Sequence, residues 1–325
     1  MLLDPARGYD LIGDIHGCAR ALERLLAGLG YRRVAGVWRH PQRMAVFLGD
    51  LVDRGPHIRE TLHLVHDMVE AGQALCLMGN HEWYALGWST PALPGSGRRY
   101  VREHVPRHER LIRETLAQLE GHPGDWRDFL AWFQTLPLCV DAGRFRLVQA
   151  CWDAGVIERL LRDYPDARVD RAFVQQAGDL QSFAAHCFQR LLRGIDMPLP
   201  RGLTLTSSDG FTRSVFRTKF WEEDPKTYGD IVFQPDALPD EVASLPLSNA
   251  QKAALLRYGD AEPLLFVGHY WGRGTPGPLR PNLACLDYSA VRRGKLVAYR
   301  LDEETRLEPH KFFWVEVGGG MGLDT

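Results

Sequence analysis

Residues 9–17 read YDLIGDIHG, an apolar strand that stops on a glycine and then presents Asp14 and His16 two positions apart. In extended backbone that spacing sends both side chains to one face, so a carboxylate and an imidazole can chelate a cation together. The pattern recurs. Residues 43–55, RMAVFLGDLVDRG, carry a second apolar strand into Asp50, Asp53 and Arg54, and residues 74–82, ALCLMGNHE, carry a third into Asn80 and His81. Between them, CARALERLLAGLG (18–30) and PHIRETLHLVHDMVEAG (56–72) place apolar residues at helical spacing, the second opened by Pro56. Strand and helix thus alternate, which implies parallel strands with helical crossovers. In an open sheet of that kind ligands bind outside the carboxyl ends of the strands, so the three motifs are expected to converge on one crevice.

The remainder of the chain limits what such a crevice can serve. With 325 residues, 45% of them hydrophobic, the chain can bury a substantial core. A formal net charge of −2 is unlike a surface that coats nucleic acid, so no stable nucleic-acid binding is expected. No run approaches the roughly 18 to 20 apolar residues of a membrane helix, and MLLDPARGYD places Asp4, Arg7 and Asp10 where a signal peptide needs an apolar core. Six cysteines without a C-x-x-C pair argue against a thiolate zinc site and for a reducing, cytoplasmic location. Neither a G-x-S-x-G elbow nor a Walker A loop is present.

Beyond residue 85 the signals are less regular. Pro and Gly in STPALPGSG (89–97) precede an arginine-rich, helix-like stretch, and the segment of about 86–125 is read as an inserted helical lid. Residues 126–150 read as a helix and a hairpin turning at Asp141-Ala142-Gly143. Residues 155–260 are read as a substrate or cap segment; within them lie a polar turn, TLTSSDG (204–210), and the basic-aromatic RSVFRTKFW (213–221). If the latter is a strand, Arg217 and Lys219 share a face and are candidates for substrate binding, the alternative being an edge strand guarded by charge. Trp152, Trp221 and Trp271 could stack a nucleobase or simply pack. His104 and His108 stand four apart without a matching carboxylate and are read as exposed. GGGMGLDT (318–325) is no dinucleotide loop.

GDIHG, GDLVDRG and GNHE together resemble the signature of the calcineurin-like metallophosphoesterases, and the DRG and NHE forms resemble the branch holding phosphoprotein phosphatases and bacterial symmetrical diadenosine tetraphosphatases. LFVGHYW (265–271) resembles that branch's Gly-His ligand motif, and LACLDYSAVRRGKLVAYRLD (283–302) its closing hairpin. The resemblance implies an α/β chain of the calcineurin-like metallophosphoesterase fold. That fold would be a two-sheet β sandwich flanked by helices, expected here as a single domain over 1–325 carrying the two insertions. It also implies two divalent metal ions, manganese first, with iron, zinc or magnesium as alternatives. Asp14, His16 and Asp50 would hold one metal, and Asp50, Asn80 and His269 the other. The family's remaining histidine falls on Gln149, in FRLVQACWD (145–153). As a ligand an amide oxygen is harder and weaker than imidazole and favours oxygen-preferring ions; as a plain polar residue it would leave the second site with three ligands, or with Asp153 in its place.

The expected chemistry is hydrolysis of a phosphate ester or phosphoanhydride by a hydroxide shared between the two cations. His81 would act as general acid with Asp53 on its other ring nitrogen, and Arg54 would clamp phosphate oxygens bidentately. Glu82 is read as a structural partner. The substrate expected is a phosphorylated small molecule or nucleotide, of the diadenosine tetraphosphatase type. The alternatives are a protein serine/threonine phosphatase acting on phosphoproteins, and a weakly active or inactive relative that binds without turnover because of Gln149.

Overall fold

The computed structural model describes residue 3 and residues 7–206, 212–233 and 238–318. The three N-terminal strands, Gly8–Ile12, Arg43–Phe47 and Ala74–Cys76, pair in parallel, joined by the helices Ala19–Gly28 and Ile58–Glu70. Each strand is an almost continuous apolar run because both of its faces are covered. On the other side of Gly8–Ile12 the long strand Lys295–Leu301 pairs antiparallel and carries Asp287–Tyr288 and Phe312–Glu316, completing a six-stranded sheet.

A second sheet of four strands runs in the order Leu283–Cys285, Leu264–Val267, Phe145–Val148, Cys139–Asp141. The faces that meet are lined by Leu11, Val46, Leu75, Phe145, Leu147, Phe266, Val297 and Tyr299, all buried, so the two sheets form a sandwich. Helices cover the outer faces, where Leu22, Leu62, Phe133, Leu160 and Leu191 join the larger core. The expected strand Cys139–Asp141 and its hairpin are present, with Gly143 at a φ of 79° in the turn. Within LACLDYSAVRRGKLVAYRLD, read as a closing hairpin, Asp287–Tyr288 and Lys295–Leu301 do pair antiparallel in the first sheet, while Leu283–Cys285 belongs to the second.

The two insertions each contribute helices to the main core. Helix Pro106–Leu119 buries Ile112, Thr115 and Leu119 on the core, and Thr115 bonds the backbone and side chain of Asp53; most of the charged residues face outward. Residues 154–193 form three helices whose apolar faces belong to the main core. Asp196–Pro198, Val215–Thr218 and Val232–Phe233 make a separate small sheet, and Met197, Phe216, Tyr228, Ile231 and Leu247 give it a core of its own. Val215–Thr218 is the middle strand of that sheet, not an edge. Most of the TLTSSDG turn and nearly all of GGGMGLDT lie outside the described residues.

Candidate metal centre

The ends of the parallel strands turn inward through unusual backbone. His16, Asp50, Asp53, Arg54 and His269 all have φ between 46° and 69°, the left-handed region that side chains with a Cβ rarely adopt. Such residues persist only where surrounding contacts over-determine them, and they concentrate at functional sites. The contacts here are specific. Glu82 accepts hydrogen bonds from the backbone N–H groups of Asp50 (2.8 Å), Leu51 (2.8 Å), Val52 (3.3 Å) and Gly79 (2.9 Å), locking the second and third strand ends together. At Gly79 a Cβ would run into the carboxylate and backbone of Asp50, so only glycine allows the approach.

Within this frame the residues expected to bind metal are brought together. His16 donates from Nδ1 to the carbonyl of Val52 (2.8 Å), which leaves Nε2 as the acceptor facing the centre, 3.8 Å from Asp50 Oδ2. His81 donates from Nδ1 to Asp53 Oδ2 (2.6 Å) and turns Nε2 inward. Arg54 bridges the two rings, donating to His16 Nε2 (3.1 Å) and to His81 Nε2 (2.9 Å), and Arg217 donates in the same way to Nε2 of His269. Two guanidinium groups therefore aim at three imidazole lone pairs. Ligating nitrogens of His16 and His81 and an oxygen of Asp50 lie within 4.8 Å of one another, a grouping that includes His81, read above as an acid and not as a ligand.

Asp14 closes the other side. Its carboxylate accepts from the amide of Gln149 (3.2 Å) and from the backbone N–H of His269 (3.2 Å). Two buried oxygens nearby, Asn80 Oδ1 and Gln149 Oε1, have no hydrogen-bond partner. Buried acceptors are almost always satisfied, so two orphans that follow strands of the two facing sheets fit a cation that would use them. Gly268 permits the arrangement, since a Cβ there would overlap Asp14 Oδ1 and press on Gln149 Oε1. The electrostatics agree. Burial, then Asp287, then Asp50 push Asp14 well above the usual carboxylate range; burial and then Glu82 do the same to Asp50. Burial pushes Asp53 up to about 7. Burial, followed by neighbouring arginines, holds His16, His81 and His269 well below the usual imidazole range. Crowded carboxylates and neutral imidazoles are the donor set that divalent cations stabilise.

Other expected residues lie elsewhere. Lys219 falls past the end of its strand, so alternation no longer pairs it with Arg217; its ammonium is 3.8 Å from Glu222. Asp153 caps helix Ala154–Asp163 by accepting from Val156 N–H and faces Arg190 at 3.3 Å, which removes it as a substitute ligand. His104 is stacked between Trp88 and Tyr100. Trp152 is buried under Arg146, while Trp221 and Trp271 pack around Phe233.

Sequence reasoning missed Asp287, which follows an apolar strand in LACLD as Asp50 follows one in VFLGD. Its carboxyl meets that of Asp14 and accepts from Ser289 N–H (2.8 Å).

A two-sheet sandwich with carboxylates, imidazoles and amides gathered at the strand ends defines the metallophosphoesterase class. The chain belongs to the calcineurin-like phosphoesterase family, whose sequence model matches residues 9–189. Among curated proteins it is 46% identical over 74 residues to the asymmetrical bis(5'-nucleosyl)-tetraphosphatase PrpE of Halalkalibacterium halodurans, a match covering 22% of this chain and only 30% of that protein. It is 27% identical over 305 residues to the symmetrical bis(5'-nucleosyl)-tetraphosphatase of Aromatoleum aromaticum, covering 92% of this chain and 95% of that one. Among solved structures a cold-active protein tyrosine phosphatase shares the fold with a TM-score of 0.50 at 16% identity, covering 93% of this chain and 78% of that one. No helix among the described residues is long and apolar enough to cross a membrane.

Proposed function

We propose that the chain is a metal-dependent hydrolase of phosphoanhydrides, acting on nucleoside polyphosphates of the bis(5'-nucleosyl)-tetraphosphate type. The carrying observation is the convergence of inward-facing imidazole nitrogens with the orphaned oxygens of Asn80 and Gln149. Asp14, His16 and Asp50 would hold one divalent cation and Asp50, Asn80, Gln149 and His269 a second. Asp287 would orient Asp14. The similarity to the symmetrical tetraphosphatase of Aromatoleum aromaticum along nearly the whole chain supports the substrate class. Manganese is the metal we propose, because two of the donors are amide oxygens. Cations held there supply Lewis acidity toward phosphate and a nucleophile from water at neutral pH.

The chain's own residues do the rest. Arg54, freed from the two imidazoles, clamps the phosphate through its planar fork. Asp53 and His81 form one proton-holding pair: with the carboxyl pushed up to about 7, the pair retains a proton near neutrality and can pass it from Nε2 to the departing oxygen. Thr115 and Glu82 keep that geometry from behind. The test is turnover by purified, manganese-supplemented protein on a dinucleoside tetraphosphate, nitrophenyl phosphate and a phosphopeptide. Hydrolysis strongest on the dinucleotide is expected. Preference for the phosphopeptide would instead make it a protein phosphatase, and turnover of none of the three would make it a binding relative.

A further inference from the structure

Arg54 alone offers counter-charge for a single phosphate, yet more guanidinium groups gather beside the same site. Arg102, in the loop after helix Asn80–Ser89, lies with its guanidinium carbon 3.9 Å over the ring of Tyr84. That ring packs edge-on against His81, with centroids 5.4 Å apart. Arg193 ends helix Phe183–Arg193 and donates to Gln189 Oε1 at 2.8 Å; Gln189 in turn donates to Asp196 at 3.1 Å, and Asp196 lies 3.6 Å from Nε of Arg217. Arg217 completes the circuit at His269. Three elements remote in sequence thus deliver three cationic forks to the rim of the proposed metal centre.

Two of these charges are not spent on salt bridges of the fold, and the third, Arg217, meets a carboxylate only at 3.6 Å from Asp196. Among the described residues neither Arg102 nor Arg193 has a carboxylate within ion-pair distance, and Arg217 Nε has no hydrogen-bond partner. Arg102 and Arg193 oppose each other electrostatically while both feel the Tyr84 hydroxyl. Half-buried like charges without a close counter-ion are costly unless an anion completes them.

We propose that Arg102 and Arg193, together with Arg217 and the Tyr84 hydroxyl, form a second anion subsite that holds the phosphate adjoining the one attacked. The inference rests on the proposed hydrolase reading and sharpens its substrate class: the leaving group is itself a phosphate. Water oxygen forms the new P–O bond, the bridging P–O bond breaks with its electron pair on the departing phosphate, and the two water protons are shared between the product phosphates and solvent. The arginines neutralise the charge that appears on the departing phosphate, where bidentate donors are most effective.

Two measurements test it. In chelator-treated protein, calorimetry with inorganic tripolyphosphate and orthophosphate should show tripolyphosphate binding at least tenfold tighter, with that preference lost in Arg102→Gln and Arg193→Gln variants that melt cooperatively. In manganese-loaded protein the ratio of kcat/KM on a dinucleoside tetraphosphate to that on nitrophenyl phosphate should fall at least tenfold in each variant, mostly through KM, and Arg193→Lys should recover only part of the loss. Equal binding of the two anions by the unaltered chain, or an unchanged ratio in the variants, would overturn the subsite. Absence of all turnover would overturn the hydrolase reading alone, because the binding arm decides the subsite independently.

Discussion

Asp53 and His81 show how two ionisable groups become one. Their atoms are 2.6 Å apart, the carboxyl is pushed up to about 7 by burial, and burial followed by Arg54 pushes the imidazole down. The proton they share is lost as pH rises through about 7, so a step that needs it slows above that point. On a monoester with an alcohol leaving group, kcat should therefore fall on the alkaline side. Asp53→Asn should lower kcat by on the order of 10²-fold and remove that limb from the pH–rate profile, whereas a limb that survives the substitution would assign the titration to another group. Gln149 makes the second residue-scale prediction. With its oxygen orphaned, Gln149→His should tighten the second cation by on the order of tenfold and shift preference toward zinc, read as metal retained per chain after dialysis. Asp14, His16, Asp50, Asn80 and His81 are legible as motifs because each follows directly on an apolar strand. Asp287 also follows one, but a single aspartate after such a run has too many ordinary explanations to stand out.

At the scale of elements, helix Asn80–Ser89 does more than carry His81. Its Glu82 carboxylate gathers four backbone N–H groups from two strand ends, and no neutral side chain offers two strong acceptors at once. Glu82→Gln keeps the shape but turns an N–H donor toward other donors. It should destabilise the fold by about 2 to 4 kcal/mol and reduce cation affinity with it, since Asp50 hangs from the same loop; chemical denaturation and metal titration of the variant check both. A variant as stable as the parent would mean the loop is held chiefly by its other bonds. The parallel strands and their helices are readable because buried strands are plain apolar runs and the helices keep a 3.6-residue period. Helix Pro106–Leu119 is harder. Its exposed arginines dominate the composition, while the one threonine that reaches Asp53 looks like any other, so that contact is not legible in the sequence.

The whole molecule is a sandwich closed by its two ends: Lys295–Leu301 lies beside Gly8–Ile12, a pairing across nearly the entire chain that local pattern cannot reveal. The closure places Asp287 against Asp14 and crowds carboxylates into one buried volume. Burial raises Asp14, Asp50, Glu82 and Asp287, and takes Asp53 up to about 7. Without metal the native chain thus binds more protons than the unfolded chain between about pH 4 and pH 7, and its stability must fall as pH rises through that window. The buried His16, His81 and His269 act in the opposite sense, but only below their unfolded value of 6.5, and they are fewer than the carboxylates. Cations reverse the balance. They bind the deprotonated ligands, so their stabilising effect grows with pH, reaching about 2.7 kcal/mol when free metal is a hundredfold above its dissociation constant. Between pH 5.5 and pH 8 the Tm of chelator-treated protein should decline while that of manganese-loaded protein holds or climbs, opening a gap that scanning calorimetry reads directly. Parallel curves would mean that the crowded carboxylates and the bound cation occupy different places, and the centre built here from Asp14, Asp50 and Asp287 would have to be abandoned.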